Sequence, residues 1–195
     1  VFPVALLEAA DAMTMIREHA AEWHVDPDAI AVIGFSAGGH LAANLATSTS
    51  DDILVAHGYD PDAVRPNGLM LAYPVITSGP LAHRGSFDSL LGERRNDSQA
   101  LESVSIERHI DAKTPPVFAW HTVPDETVPY ENTLMLIDAC KKAGVSIEAH
   151  LFPQGGHGLS LGTAETAWQG VNGIEPSIQI WPQLAVSWMH RTFAR

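Results

Sequence analysis

The chain carries one cysteine, Cys140, in 195 residues, so no intrachain disulfide is open to it. Cys140 falls in a helical pattern beside Lys141 and Lys142 and reads as a packing or surface thiol, not a nucleophile. Basic residues are scarce: 11 Lys and Arg face 23 Asp and Glu, a formal net charge of −12. Nucleic acids and anionic membrane surfaces demand a basic face, so neither is expected as a partner. No apolar stretch approaches the roughly 20 residues a bilayer requires. The ten histidines are scattered, and His121 with His157 fits no metal-ligand spacing, so no metal is expected. Internal repeats and low-complexity linkers are lacking too. Val1-Phe2-Pro3 opens with neither methionine nor the pattern of a signal peptide, and the chain is expected to begin within a longer protein.

What remains is a globular composition. Hydrophobic residues make up 46% and charged residues 17%, and the length suffices for one domain with a real core. Residues 1–195 therefore read as a single α/β domain. Leu6, Ala9, Ala10, Met13, Ile16, Ala20 and Trp23 recur at helical spacing, which predicts a helix over Val4 to Trp23. Ala29 to Phe35 is apolar throughout, as befits a parallel strand covered on both faces. Further apolar runs at Leu69 to Val75 and Val117 to His121, and the partly alternating Ile147 to Phe152, predict three more strands. Helices are expected from His40 to Thr47, from Tyr130 to Ala143 with Gly144 as the stop, and from Ile178 to Phe193. Residues 76–114 are polar and irregular, with short helical pieces near Ser86 to Leu91 and Ser98 to Ser103. The alternation implies a mostly parallel sheet with helices on both faces.

Between the first strand and the helix after it stands Gly34-Phe35-Ser36-Ala37-Gly38-Gly39. A strand, a sharp turn with serine at the bend, and a helix make an elbow that lifts a hydroxyl above the sheet. Gly34 and Gly38 flank Ser36 by two residues, where the turn crowds the chain. An elbow serine needs a base and an orienting acid, and in a parallel sheet these gather past the carboxyl ends of strands. Past the third strand comes His121-Thr122-Val123-Pro124-Asp125-Glu126-Thr127-Val128-Pro129, where Asp125 is the candidate acid and Glu126 its competitor. Past the fourth comes Pro153-Gln154-Gly155-Gly156-His157-Gly158, where His157 is the candidate base. His150 and His190 lie inside a strand and a helix and read as structural. His157 would take the proton of Ser36, which attacks an acyl carbonyl, and the Ala37 N–H would meet the oxyanion. His40, on the nucleophile helix, is a candidate either for packing or for lining the site.

With serine, acid and histidine in that order, the chain resembles the α/β-hydrolase superfamily. It looks most like the acetyl-xylan-esterase-like and hormone-sensitive-lipase-like carbohydrate esterases of bacteria. Val25-Asp26-Pro27 through Leu41-Ala42, Leu71 to Val75, His121 to Pro129, and Leu151 through Leu159 carry the resemblance. It implies a serine carboxylesterase acting on short acyl esters, often acetyl groups on sugars, without a cofactor. Tyr73 and Val128 join His40 as substrate-pocket candidates. Residues 76–114 would lie over the site like a lid. Members are often cytoplasmic and dimeric, so a cytoplasmic location and a homodimer are the matching expectations.

The chain departs from the family's pattern in one respect. Members carry a His-Gly-Gly loop ahead of the elbow that supplies further oxyanion donors, and no such motif precedes Ser36 here. Strands expected beside Ala29 to Phe35 have no counterpart either, leaving that strand an open edge. Losing one oxyanion donor typically costs about 10² to 10³ in turnover. Two alternatives stand beside the esterase: a prolyl-oligopeptidase-type peptidase, which shares the triad order, and an incomplete hydrolase domain without turnover.

Overall fold

The four expected strands pair in sequence order. In the computed structural model, which describes residues 2–168 and 173–194, β1 (Ala31–Phe35), β2 (Gly68–Ala72), β3 (Val117–Thr122) and β4 (Ile147–Phe152) form one parallel sheet in the order β1-β2-β3-β4. The register sets Phe35 opposite Ala72 and Ala72 opposite Trp120, so the carboxyl ends of the strands line up along one rim. Eight helices accompany the sheet among the described residues: α1 (Val4–Glu18), α2 (Ala37–Ala46), α3 (Asp51–Ala56), α4 (Pro61–Val64), α5 (Arg84–Leu91), α6 (Ser98–Ser103), α7 (Glu131–Ala143) and α8 (Trp181–Phe193).

Both faces of β2 and β3 are buried, and the strand period of two divides their side chains. Leu69, Leu71, Val117 and Ala119 pack with Ala43 and Ala46 of α2 and Leu136 and Cys140 of α7. Met70, Ala72, Phe118 and Trp120 face the other way, toward Trp181, Ala185 and Trp188 of α8. The small residues of α2 let that helix lie close to the sheet directly behind the elbow. α1 packs outside α2 through Leu6, Ala10 and Met13. Residues 76–114 hold a small core of their own, in which Phe87, Leu91, Ala100 and Val104 meet Val75 and Val128. Cys140 is fully buried, and burial pushes its thiol up to about 12, which fits a packing role.

Among the differences from the sequence expectation, the ends of α1 and β2 and the cover of β1 each have a local reason. α1 stops at Glu18, not Trp23, because past it only Ala20 is buried; Trp23 lies exposed and stacks on His19. β2 stops at Ala72, not Val75, because Tyr73 turns to a φ of 38° and Val75 N–H donates to Ser36 O, drawing the chain across the elbow. β1 is not covered on both faces: it pairs only with β2 among the described strands, and Ile33 is 43% exposed where α8 reaches Ala31 and Phe35 but not the residue between them. Gly144 ends α7 in the left-handed region at φ 74°, as expected of a glycine stop. None of the described helices is long and apolar enough to cross a membrane.

Candidate active site

Ser36 bridges β1 and α2 with φ 53° and ψ −121°, a backbone region that L-residues avoid and that costs on the order of 1–3 kcal/mol. Neighbouring chain holds it there. Its N–H donates to Ala72 O, and its carbonyl accepts from Gly39 and Val75 N–H. Gly34 is sterically required, since a Cβ there would lie 2.3 Å from Gly38 O. The same demand was expected at Gly38 but falls on Gly39. A Cβ at Gly38 would meet nothing within 4 Å, whereas one at Gly39 would sit 3.0 Å from Pro74 Cβ.

The structure brings Ser36, His157 and Asp125 into one line. Ser36 Oγ lies 2.7 Å from His157 Nε2, and His157 Nδ1 lies 2.7 Å from Asp125 Oδ2. With Nδ1 donating to the carboxylate, Nε2 is left to accept the serine proton. The three residues come from 36, 125 and 157, each just beyond a strand end on the same rim. Asp125 is buried while its competitor Glu126 faces solvent. Asp125 Oδ1 accepts from Thr127 and Val128 N–H, both at 2.9 Å. Burial pushes the Asp125 carboxyl up, but hydrogen bonds from His121, His157 and Val128 N–H, with the charge of His157, outweigh it and hold the group well below the usual carboxylate range.

The histidine loop is held from two sides. Thr122 Oγ1 donates to Gly156 O at 3.0 Å, and Tyr73 Oη accepts from Ser160 N–H at 3.1 Å while its ring meets the His157 imidazole edge-on at 5.0 Å. Gly155 takes φ 100°, where a Cβ would also lie 2.6 Å from Leu159 Cδ1. His150 pairs with Glu148, away from the relay.

Ala37 opens α2 and is exposed, and the N–H groups of a helix's first turn have no acceptor within the helix. Ala37, Gly38, His40, Leu41 and Asn44 of α2 line a cavity of about 390 Å³ together with Ser86, Ser89 and Leu90 of α5 and with Phe2, Ala5 and Leu6 at and before the start of α1. Of the three pocket candidates, His40 lines this cavity but is also bonded at both nitrogens, to Val104 O and Asn44 Nδ2. Val128 does not line it: it is wholly buried against the core of residues 76–114, and its backbone holds the acid turn instead. Tyr73 is likewise buried, beneath His157 and not in the cavity wall. A larger hollow of about 660 Å³ runs along the outer face of α8, lined from Pro182 to Ala194, and touches none of the three relay residues.

Sequence reasoning weighed His121 only as a metal ligand; it stands near the end of β3 with Nε2 bonded to Val128 O of the acid turn and Nδ1 to Thr133 Oγ1 in the first turn of α7. A histidine closing an otherwise apolar strand four residues before the acid was the available signal.

A parallel sheet covered by helices on both faces, with a serine elbow at the rim, is the α/β-hydrolase fold. The chain belongs to the BD-FAE family, whose pattern matches residues 1–139. It is 37% identical to the acetyl ester-xyloside bifunctional hydrolase of Caldicellulosiruptor lactoaceticus, with a TM-score of 0.81 over 97% of this chain and 66% of that one. It is 34% identical to endo-1,4-beta-xylanase B of Butyrivibrio fibrisolvens, over 85% of this chain and 26% of that protein. It is 30% identical to the acetylxylan esterase of Xylanibacter ruminicola, over 76% of this chain and 30% of that protein. The chain thus spans about a quarter to a third of these two curated relatives.

Proposed function

We propose that the chain is a serine carboxylesterase hydrolysing short-chain acyl esters, acetyl groups on carbohydrate foremost. The observation that carries this is the continuous relay of two 2.7 Å contacts from Ser36 Oγ through the His157 imidazole to the buried Asp125 carboxylate. His157 Nε2 takes the Ser36 proton as Oγ adds to the acyl carbonyl. Asp125 steadies the imidazolium through Nδ1–H, and the imidazolium returns its proton to the leaving alcohol. Water, deprotonated by the same imidazole, then cleaves the acyl-enzyme and frees Ser36. The tetrahedral oxygen is met by the Ala37 N–H at the start of α2, where the helix dipole also favours negative charge.

Acetylated sugar as the substrate class is supported by the names of two relatives, an acetylxylan esterase and an acetyl ester-xyloside hydrolase. The cavity beside Ala37 receives the part of the ester nearest the oxyanion. Residues 76–114, which supply Ser86, Ser89 and Leu90 to its wall, act as its lid. The test is hydrolysis of p-nitrophenyl acetate and labelling by a fluorophosphonate probe, each with Ser36→Ala as comparison. The expected result is loss of both, with turnover down by about 10⁴ or more. Equal hydrolysis and labelling in the variant would reject the reading.

A further inference from the structure

His121 is buried at the acid turn and stands outside the relay. Its Nε2 faces two acceptors, Val128 O at 2.9 Å and Asp125 Oδ2 at 3.3 Å, so this nitrogen carries the ring proton. Its Nδ1 lies 2.8 Å from Thr133 Oγ1, whose hydroxyl donates to it. One imidazole therefore ties the end of β3, the 125–128 turn and the first turn of α7 together.

Two donors on Asp125 Oδ1 fix that oxygen but leave the carboxyl plane free to swing about it, because the terminal torsion of aspartate is broad. The other oxygen, Oδ2, is shared by His157 at 2.7 Å and His121 at 3.3 Å. His157 rides on a glycine-flanked loop and is itself to be positioned. His121 is rooted in the sheet and reaches Oδ2 from the buried side.

We propose that His121 is a positioning residue for the triad acid, its Nε2–H setting the plane of the Asp125 carboxylate so that Oδ2 meets His157. The proposal rests on the reading of Asp125 as that acid. Thr133 acts one step further out, by presenting a hydroxyl to Nδ1 and so keeping the proton on Nε2.

Histidine-labelled NMR tests this without turnover, through the Nδ1 proton of His157 that is bonded to Asp125. In the unaltered chain this proton is expected far downfield. In His121→Phe, with folding checked by near-UV circular dichroism, it moves upfield or exchanges away. In His121→Gln, whose amide N–H falls near the position of Nε2, it is retained. On p-nitrophenyl acetate, His121→Phe is expected to lower kcat by up to about 100-fold, the scale of a misplaced catalytic group. KM stays within about twofold, because no substrate contact is removed. An unshifted His157 proton in folded His121→Phe, together with unaltered kcat, would overturn the proposal. If His121→Phe does not fold, Thr133→Val carries the test: a smaller upfield shift supports the tether and an unchanged resonance overturns it. The two readings fail separately. Absence of Ser36 labelling in the unaltered chain sinks the esterase, while the histidine resonance still decides the role of His121.

Discussion

At the scale of single residues, His40 shows how a buried polar side chain links pH to stability. Its Nε2–H donates to Val104 O at 2.7 Å, its Nδ1 accepts from Asn44 at 2.9 Å, and its ring lies edge-on to Phe87. Burial lowers it to about 4, against a smaller opposing effect of the bond to Val104. The unfolded chain, with an ordinary imidazole near 6.5, therefore binds a proton that the folded chain refuses between pH 6.5 and 4. Stability contributed by neutral His40 is full above that window and is lost as pH falls through it, by on the order of 3 kcal/mol at the acid end. His40→Gln keeps an amide donor near Val104 O but cannot titrate. Urea unfolding at intervals from pH 7 to pH 4 is expected to bring the two proteins closer as pH falls. A constant difference across the range would refute the assignment. That Ser36, Asp125 and His157 would meet was legible in the sequence, because each follows a segment read as a strand of one parallel sheet. His121 was not, because its value depends on which way a strand-end ring turns, and no spacing reports that.

At the scale of elements, one buried polar side chain of α7 ties down the start of residues 76–114. Asn132 is wholly buried; its Oδ1 accepts from Ile76 and Thr77 N–H, and its Nδ2–H₂ donates to Leu81 O and Pro129 O. Replacing it with leucine would leave backbone groups buried without partners, each costing about 1–3 kcal/mol. Asn132→Leu is expected to lower the urea midpoint and, because Leu90 and Ser86 wall the cavity, to raise KM more than it lowers kcat. A variant with unchanged midpoint and KM would show that the segment stands without this tether. The strands and long helices could be read from apolar runs and 3.6-residue spacing, but the short helices α3 and α4 could not. They are held by the Asp60 side chain on Asp62 N–H and by Arg65 paired with Asp51, contacts that periodicity does not encode.

At the scale of the whole chain, β1 is the edge of the sheet among the described strands. Its outer side presents a row of parallel-strand N–H and C=O groups with no strand beside them among those described, and Ile33 lies exposed on it. The groove alongside is apolar, formed by Ala9, Val32, Leu41 and Leu45. An unprotected edge of this kind templates pairing with another chain. Against it stands the net charge of −12, which makes two copies repel. That repulsion is long-ranged and screened, with a Debye length of about 8 Å at physiological ionic strength, whereas strand pairing and apolar contact act at touching distance. Pairing should therefore win as salt rises. The 195-residue chain is expected to self-associate, with a weight-average sedimentation coefficient that climbs with concentration and climbs further between low and high salt. Ile33→Lys puts a charge on the open edge. Because Ile33 is already exposed, the change should alter monomer stability by no more than about 0.5 kcal/mol while weakening association. Sedimentation that does not depend on concentration in the unaltered chain, or that Ile33→Lys leaves unchanged, would show that β1 is not where copies meet.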